Sequence, residues 1–424
     1  MTDLSPSPGA EDRAPPKLIA VTFLFILGCG GGAPWGGGGG GAGGGGGAGG
    51  AAPACASIDF QPFDDAVAAF VADSGLPGAS AAVVHKSCGL VHQRGYGGYD
   101  ADRVYLVGSA SKVVTVGVLM RLADQGRLDL DAPIGPSLAA WEPGGKPELE
   151  VAQLVSNSSG LVGLVDNPLY RPYACQYRDA GTLADCARAI YTADDSATRA
   201  PPDTAFHYGG GQWQLAGGVA EVVAGKPWAA LVTETYGEAC GLAPAKFGYT
   251  NQFAQAALAG AGLGGALDYP AFFQGDVAAL PATENPSVEG GLFTTASDYG
   301  KILLMHLRGG VCDGGRVLSE AAALRMRRDR ILEVYGGTTA GQTGRTNGGG
   351  ALEGYGLGWW VDRAHPGVFA DPGLYGTFPW IDVGRQYGAL VAIESDGDVG
   401  ARLWATVKPL LDAAFDRASL PPGE

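Results

Sequence analysis

The chain has 424 residues, of which 46% are hydrophobic and 17% charged, so it can build a sizeable core and wholesale disorder is excluded. A formal charge of -15 repels phosphate backbones and offers no counterion release, which excludes nucleic acid as an expected partner. Glycine is over-represented, but much of it lies in one tract, Gly36 to Gly50, broken only by Ala42 and Ala48 and read as a flexible tether.

The first element in chain order reads as an export signal. Arg13 and Lys17 precede the apolar run Leu18 to Leu27, too short to span a bilayer but suited to a signal h-region. The run ends in Ile26-Leu27-Gly28-Cys29, which resembles a bacterial lipobox. That resemblance implies a signal peptide over 1–28, a lipid on Cys29 as membrane anchor, a Gly-rich tether over 29–55 and a folded domain over 56–424. The alternative is an ordinary cleaved signal; either way the protein is expected to be exported, lipid-anchored in the cell envelope or periplasmic or secreted. Cys55, Cys88, Cys175, Cys186, Cys240 and Cys312 remain, an even number that predicts disulfides, with Cys175–Cys186 favoured by its short loop. No Cys-x-x-Cys or His-Glu-x-x-His occurs, and no metal is expected.

Phe63 to Asp73 has helical spacing, with Phe63, Val67, Phe70 and Val71 on one side. Ala79 to His85 and Leu90 to Tyr96 read as strands joined by a turn at Lys86-Ser87-Cys88-Gly89. Ala110 to Gln125 predicts a long helix, apolar on most sides and stopped by Gly126. The middle of the chain carries helical patterns at Leu183 to Tyr191, Gln212 to Val223 and Ala296 to Leu307. Strand patterns return at Tyr355 to Val361, Gly376 to Val383 and Tyr387 to Glu394, followed by a helix from Ala401 to Ala418. The expected fold is α+β: an antiparallel sheet from both chain ends, flanked by the terminal helices, with a mostly helical middle beside it and a cleft between.

Val107-Gly108-Ser109-Ala110-Ser111-Lys112 is the stretch richest in chemistry. Ser109 stands at a helix start and Lys112 lies one turn on, so both side chains leave the same face and can touch. A serine hydroxyl needs a base, and a lysine serves if burial lowers its pKa; the helix N-terminus favours charge developing on an attacked carbonyl.

On these residues the chain resembles the serine β-lactamase and penicillin-binding-protein superfamily, particularly class C β-lactamases, D-stereospecific peptidases and related esterases. Further blocks in the family's order carry the resemblance over roughly residues 60 to 415: Gly75-Leu76-Pro77-Gly78, Gly126-Arg127-Leu128-Asp129-Leu130-Asp131, Ser159-Gly160-Leu161, Phe206-His207-Tyr208 and Glu289-Gly290-Gly291-Leu292 before Thr295-Ala296-Ser297-Asp298. It implies a serine acyl-enzyme without metal or organic cofactor. Tyr208 matches the tyrosine of the family's Tyr-x-Asn motif and implies shared proton transfer with Lys112; the bland alternative is a packed core tyrosine. Gly210 replaces the asparagine of that motif. The third motif, Lys-Thr-Gly or His-x-Gly in the family, corresponds to Asp371-Pro372-Gly373, so the cation is lost while Gly373 is kept. Leu374 would then offer a backbone N–H to an oxyanion hole with that of Ser109. Asn157 borders the expected cleft, either touching substrate or forming a turn. His207, beside Tyr208 on an extended segment, is expected to point away from the chemistry. Trp359, Trp360 and Trp380 are expected in the core, Trp380 alternatively in a pocket wall.

The reading is therefore a hydrolase acting through Ser109 on a small ester or amide. The alternatives are a DD-peptidase or β-lactamase, and an inactive surface binding protein of the same fold. Asp371 is expected to face the carboxylate of a β-lactam and repel it.

Overall fold

The computed structural model describes residues 55, 57–141, 144–253, 273–340 and 352–418. The expected signal sequence, Cys29 and the tether up to residue 54 lie outside the described residues, all of which fall within the unit Gly50–Glu424.

In chain order the elements that position the site are α1 (Gln61–Asp73), β1 (Gly78–His85), β2 (Gly89–Gly97), β3 (Val104–Leu106), α2 (Ser111–Asp124), α3 (Leu183–Tyr191), α4 (Gly211–Ala224), β4 (Gly248–Tyr249), β5 (Leu292–Thr295) and α5 (Ala296–Leu307). They are followed by β6 (Val311–Cys312), β7 (Gly315–Arg316), β8 (Gly354–Tyr355), β9 (Trp360–Val361), β10 (Val368–Ala370), β11 (Phe378–Asp382), β12 (Tyr387–Ile393) and α6 (Gly397–Arg417).

Small and β-branched residues suit β1 to an interior place in the main sheet. Its sequence, Gly-Ala-Ser-Ala-Ala-Val-Val-His, is buried throughout, as a strand covered on both faces must be. β1 pairs antiparallel with β2 on one side and with β12 on the other, Ala79 opposite Ile393 and His85 opposite Tyr387. The sheet runs β2-β1-β12-β11-β10-β9-β8, so the two chain ends do meet in one antiparallel sheet. Alternation along β1 assigns its faces. Ala79, Ala81 and Val83 join Phe63 and Val67 of α1 and Leu403, Val407 and Leu411 of α6 in one core. Ala82 and Val84 join Ile302 and Leu303 of α5 and the apolar residues of α2 in the other. Burying a side chain such as Val67 or Leu411 stabilises by ~1.5–3 kcal/mol.

Three boundaries differ from the sequence reading for local reasons. The single strand expected over Tyr355 to Val361 is a hairpin, β8 and β9, because Gly358 takes a left-handed φ of +81° against the Lys112 carbonyl. α6 starts at Gly397, four residues early, where the Asp396 side chain accepts the Val399 N–H at 2.9 Å. The short strands β3, β4, β5 and β10 went unread, having too few residues for a period. β3, β5 and β4 form a second small sheet beneath the site. The disulfides are Cys55–Cys88, Cys175–Cys186 and Cys240–Cys312.

Candidate active site

Between β3 and α2 the chain turns sharply. Gly108 adopts φ +56°, and Gly108–Ala110 forms one 3-10 turn leading into the helix. Gly108 and Ala110 are buried while Ser109 between them is partly exposed, so the hydroxyl is presented at the surface of a rigid turn. The turn is tied down from several sides. The Ser111 hydroxyl donates to the Gly108 carbonyl at 2.6 Å and accepts the Leu292 N–H at 3.0 Å, while the Tyr299 hydroxyl donates to the Ala110 carbonyl at 2.7 Å. The Leu374 nitrogen would lie 3.0 Å from a Cβ at Gly108, and a Cβ at Gly373 would lie 2.0 Å from the Val107 carbonyl oxygen. Glycine at 108 and 373 thus lets the Gly373–Leu374 backbone run directly beside the Ser109 turn, where Leu374 is partly exposed.

Lys112 is buried, 1% exposed, and its Nζ donates to Ser109 Oγ at 3.1 Å and to the Glu289 carbonyl at 3.1 Å. It also lies 4.7 Å from the centre of the Tyr208 ring and 5.3 Å from that of Trp213. Tyr208 is buried against Phe206, Tyr355 and Trp360, and its phenol interacts electrostatically with Lys112. The structure brings together Ser109, Lys112 and Tyr208, three residues that the sequence reading placed in one unit.

Their proton affinities differ from the sequence expectation. Burial pushes the Lys112 ammonium down, but Tyr208, Glu289 and Asp371 around it outweigh burial, and its pKa is raised. Burial also raises the Tyr208 phenol, and the opposing pull of Lys112 and of the Ser109 hydrogen bond does not cancel it. The resting unit is an ammonium beside a phenol, and its base form grows as pH rises.

Two expected substrate contacts are turned inward. Asp371 is fully buried, and its Oδ2 accepts the Val113 N–H at 3.1 Å in the first turn of α2. It caps the nucleophile helix, which has no side-chain cap of its own, and is sealed from solvent, where the sequence reading expected it to face a substrate carboxylate. Asn157 is likewise buried, with φ +58°. Its Oδ1 accepts the Gly209 N–H and the Trp213 indole N–H, each at 2.9 Å, so it braces the backbone after Tyr208 as a turn residue. Gly210 has φ +86°, and its N–H donates to Glu289 Oε2 at 2.9 Å. His207 points outward, its Nδ1 2.8 Å from Asp166 Oδ2. Trp380 lies in the core, where its indole N–H donates to the Tyr387 hydroxyl at 3.0 Å.

Glu289 is the site residue that sequence reasoning passed over. Its carboxylate is 3.5 Å from Lys112 Nζ. The Glu289-Gly290-Gly291-Leu292 block marked its position, but nothing in the block showed that its side chain reaches the lysine. Among the described residues no group of three or more His, Cys, Asp or Glu side chains is arranged to hold a metal ion.

A partly exposed serine at a helix start, a buried lysine one turn on and a facing tyrosine, set beside an antiparallel sheet, form the arrangement of the β-lactamase-fold serine hydrolases. The family model described as Beta-lactamase matches residues 63–410, and the chain belongs to that family. It is 29% identical over 341 residues to Penicillin-binding protein 4 of Amycolatopsis lactamdurans, covering 76% of this chain and 82% of the relative. Two solved structures share the fold. EstCE1, a hydrolase with promiscuous acyltransferase activity, has a TM-score of 0.61 and 17% identity, covering 84% of this chain and 99% of its own. The octameric penicillin-binding protein homologue from Pyrococcus abyssi has a TM-score of 0.59 and 19% identity, covering 83% and 78%. The penicillin-binding relative and the disulfides are compatible with an exported protein.

Proposed function

We propose that this protein hydrolyses a small, uncharged ester or amide through an acyl-enzyme on Ser109. The observation that carries the reading is the 3.1 Å contact between Lys112 Nζ and Ser109 Oγ on a turn that exposes the serine alone. Ser109 Oγ attacks the carbonyl carbon and its proton passes to the Lys112–Tyr208 unit in its base form. The Ser109 and Leu374 N–H groups receive the oxyanion. The intermediate collapses, the carbonyl–leaving group bond breaks, and the alcohol or amine departs with the proton. Water then attacks the acyl-enzyme with the same unit as base, releasing the acid and Ser109. We assign the rest of the chain accordingly: export by residues 1–28, a lipid on Cys29 in the membrane, and a small-molecule or peptide substrate.

Ser109→Ala should abolish fluorophosphonate labelling and ester hydrolysis while the fold survives, since the Ser109 side chain is partly exposed and caps neither the turn nor the helix. Peptide mapping by mass spectrometry decides it. An adduct on another serine, or an active Ser109→Ala enzyme, overturns the reading.

A DD-peptidase or β-lactamase activity is the second reading, favoured by the 29% identity to a penicillin-binding protein. Against it stand the missing cation of the third motif and the missing side chain at Gly210. kcat/KM for p-nitrophenyl butyrate is expected to exceed that for nitrocefin by at least ~100-fold, because an uncharged ester needs neither contact. Comparable values would favour the second reading.

A further inference from the structure

One buried carboxylate beside the reacting groups has no role in the mechanism above. Glu289 is 4% exposed and meets Lys112 twice, through its carbonyl at 3.1 Å and through Oε2 at 3.5 Å. The same Oε2 accepts the Gly210 N–H at 2.9 Å. Two left-handed glycines permit this, Gly209 at φ +73° and Gly210 at φ +86°. A Cβ at Gly209 would stand 2.8 Å from Oε2, so any larger residue there would displace the carboxylate. The loop that lacks an asparagine side chain at position 210 is thus held from the opposite direction, by a carboxylate reaching its backbone.

We infer that Glu289 is a positioning residue for proton transfer: it fixes Lys112 Nζ between Ser109 and Tyr208, and it locks the 208–210 loop through the Gly210 amide. The inference rests on the Ser109 acyl-enzyme reading. Lys112 is faced by Tyr208, Glu289 and Asp371, and Glu289 also acts electrostatically on Tyr177, Tyr208 and Tyr355. Of the two carboxyl groups near Lys112, Asp371 is engaged with the α2 backbone, and Glu289 is the one within ion-pair distance of the ammonium. Removing the Glu289 charge therefore lets Lys112 release its proton at lower pH.

Glu289→Gln removes the charge and keeps an acceptor for the Gly210 N–H. With p-nitrophenyl butyrate, kcat is expected to fall by ~10- to 100-fold with KM nearly unchanged, as when a proton-transfer group is misplaced. The ascending limb of its kcat–pH profile should also move down by about one unit. A merely structural role would leave that limb in place. Glu289→Asp keeps the charge on a side chain shorter by one methylene; it should lower kcat and leave the limb at its wild-type pH. Wild-type kcat and an unmoved limb in Glu289→Gln overturn the inference. If that variant does not fold, wild-type kcat in Glu289→Asp overturns it equally. A Ser109→Ala enzyme that still turns over the ester removes the acyl-enzyme reading itself, whereas an inactive Ser109→Ala beside a wild-type-like Glu289→Gln removes only the role of Glu289.

Discussion

Around Ser109 a single buried ammonium is shared by two carboxyl groups and a phenol, and the fate of each proton follows from what else each group touches. Asp371 is the clearest case. Burial pushes its carboxyl well above the usual range, against the pull of Lys112 and of the Val113 and Lys112 amides, so its protonated form is favoured in the folded state. A carboxyl whose pKa is raised on folding adds stability below its unfolded pKa and loses that contribution as pH rises through its folded pKa. Asp371→Asn mimics the protonated form and keeps an acceptor for the Val113 N–H. Its Tm relative to wild type should therefore improve as pH is raised upward from the ordinary carboxylate range. Thermal unfolding over that rise in pH checks it; a difference that is flat or falls with pH would show that Asp371 is not held protonated. Asp371→Lys, by contrast, would place an ammonium against the positive end of α2 and is expected to destabilise the fold without creating a carboxylate subsite.

At the scale of elements, α2 is the part on which the chemistry depends, and eleven of its fourteen residues are buried, Lys112 among them. A helix surrounded in this way is fixed by its neighbours and not by its own amphipathic face. Tyr236 shows how close they come: its hydroxyl donates to the Val114 carbonyl at 2.8 Å and would lie 1.8 Å from a Cβ at Gly117. Gly117 is therefore a packing requirement inside a helix, where glycine is otherwise unfavourable. Gly117→Ala should lower stability by ~1–3 kcal/mol, because overpacking and the lost hydrogen bond outweigh the gain in helix propensity. Denaturant unfolding measures this, and a stabilised Gly117→Ala would show that Tyr236 yields without cost.

For the whole molecule, long-range closure does what local pattern cannot. The Cys240–Cys312 bridge closes a loop with a sequence separation of 72, and Cys175–Cys186 one of 11. Chain-entropy arithmetic gives about 4 kcal/mol for the first and about 3 for the second. Cys240→Ser with Cys312→Ser should then lower Tm by several degrees and by more than the Cys175→Ser, Cys186→Ser pair. The reverse order in calorimetry would mean that native contacts, not loop length, govern the two bridges. The same closure joins β1 to β12 and brings Asp371 to Val113 across 258 positions.

The elements decided by near neighbours were readable from sequence. Helices α3 and α5 were predicted to the residue, since apolar periodicity and caps lie within a few positions of one another. Ser109 and Lys112 were paired because one helical turn fixes their separation, and the short Cys175–Cys186 loop favoured its own closure. The family blocks carried Tyr208 into the site, but they could not tell which way Asp371, Asn157 and Glu289 point. Those directions depend on segments far apart in the chain, such as Glu289, 177 positions from Lys112. Nor could sequence predict that Lys112 keeps its proton. Burial alone argued for its loss, and only the folded chain sets Tyr208 and the Glu289 carboxylate around one ammonium, where their attraction outweighs the cost of removing it from water.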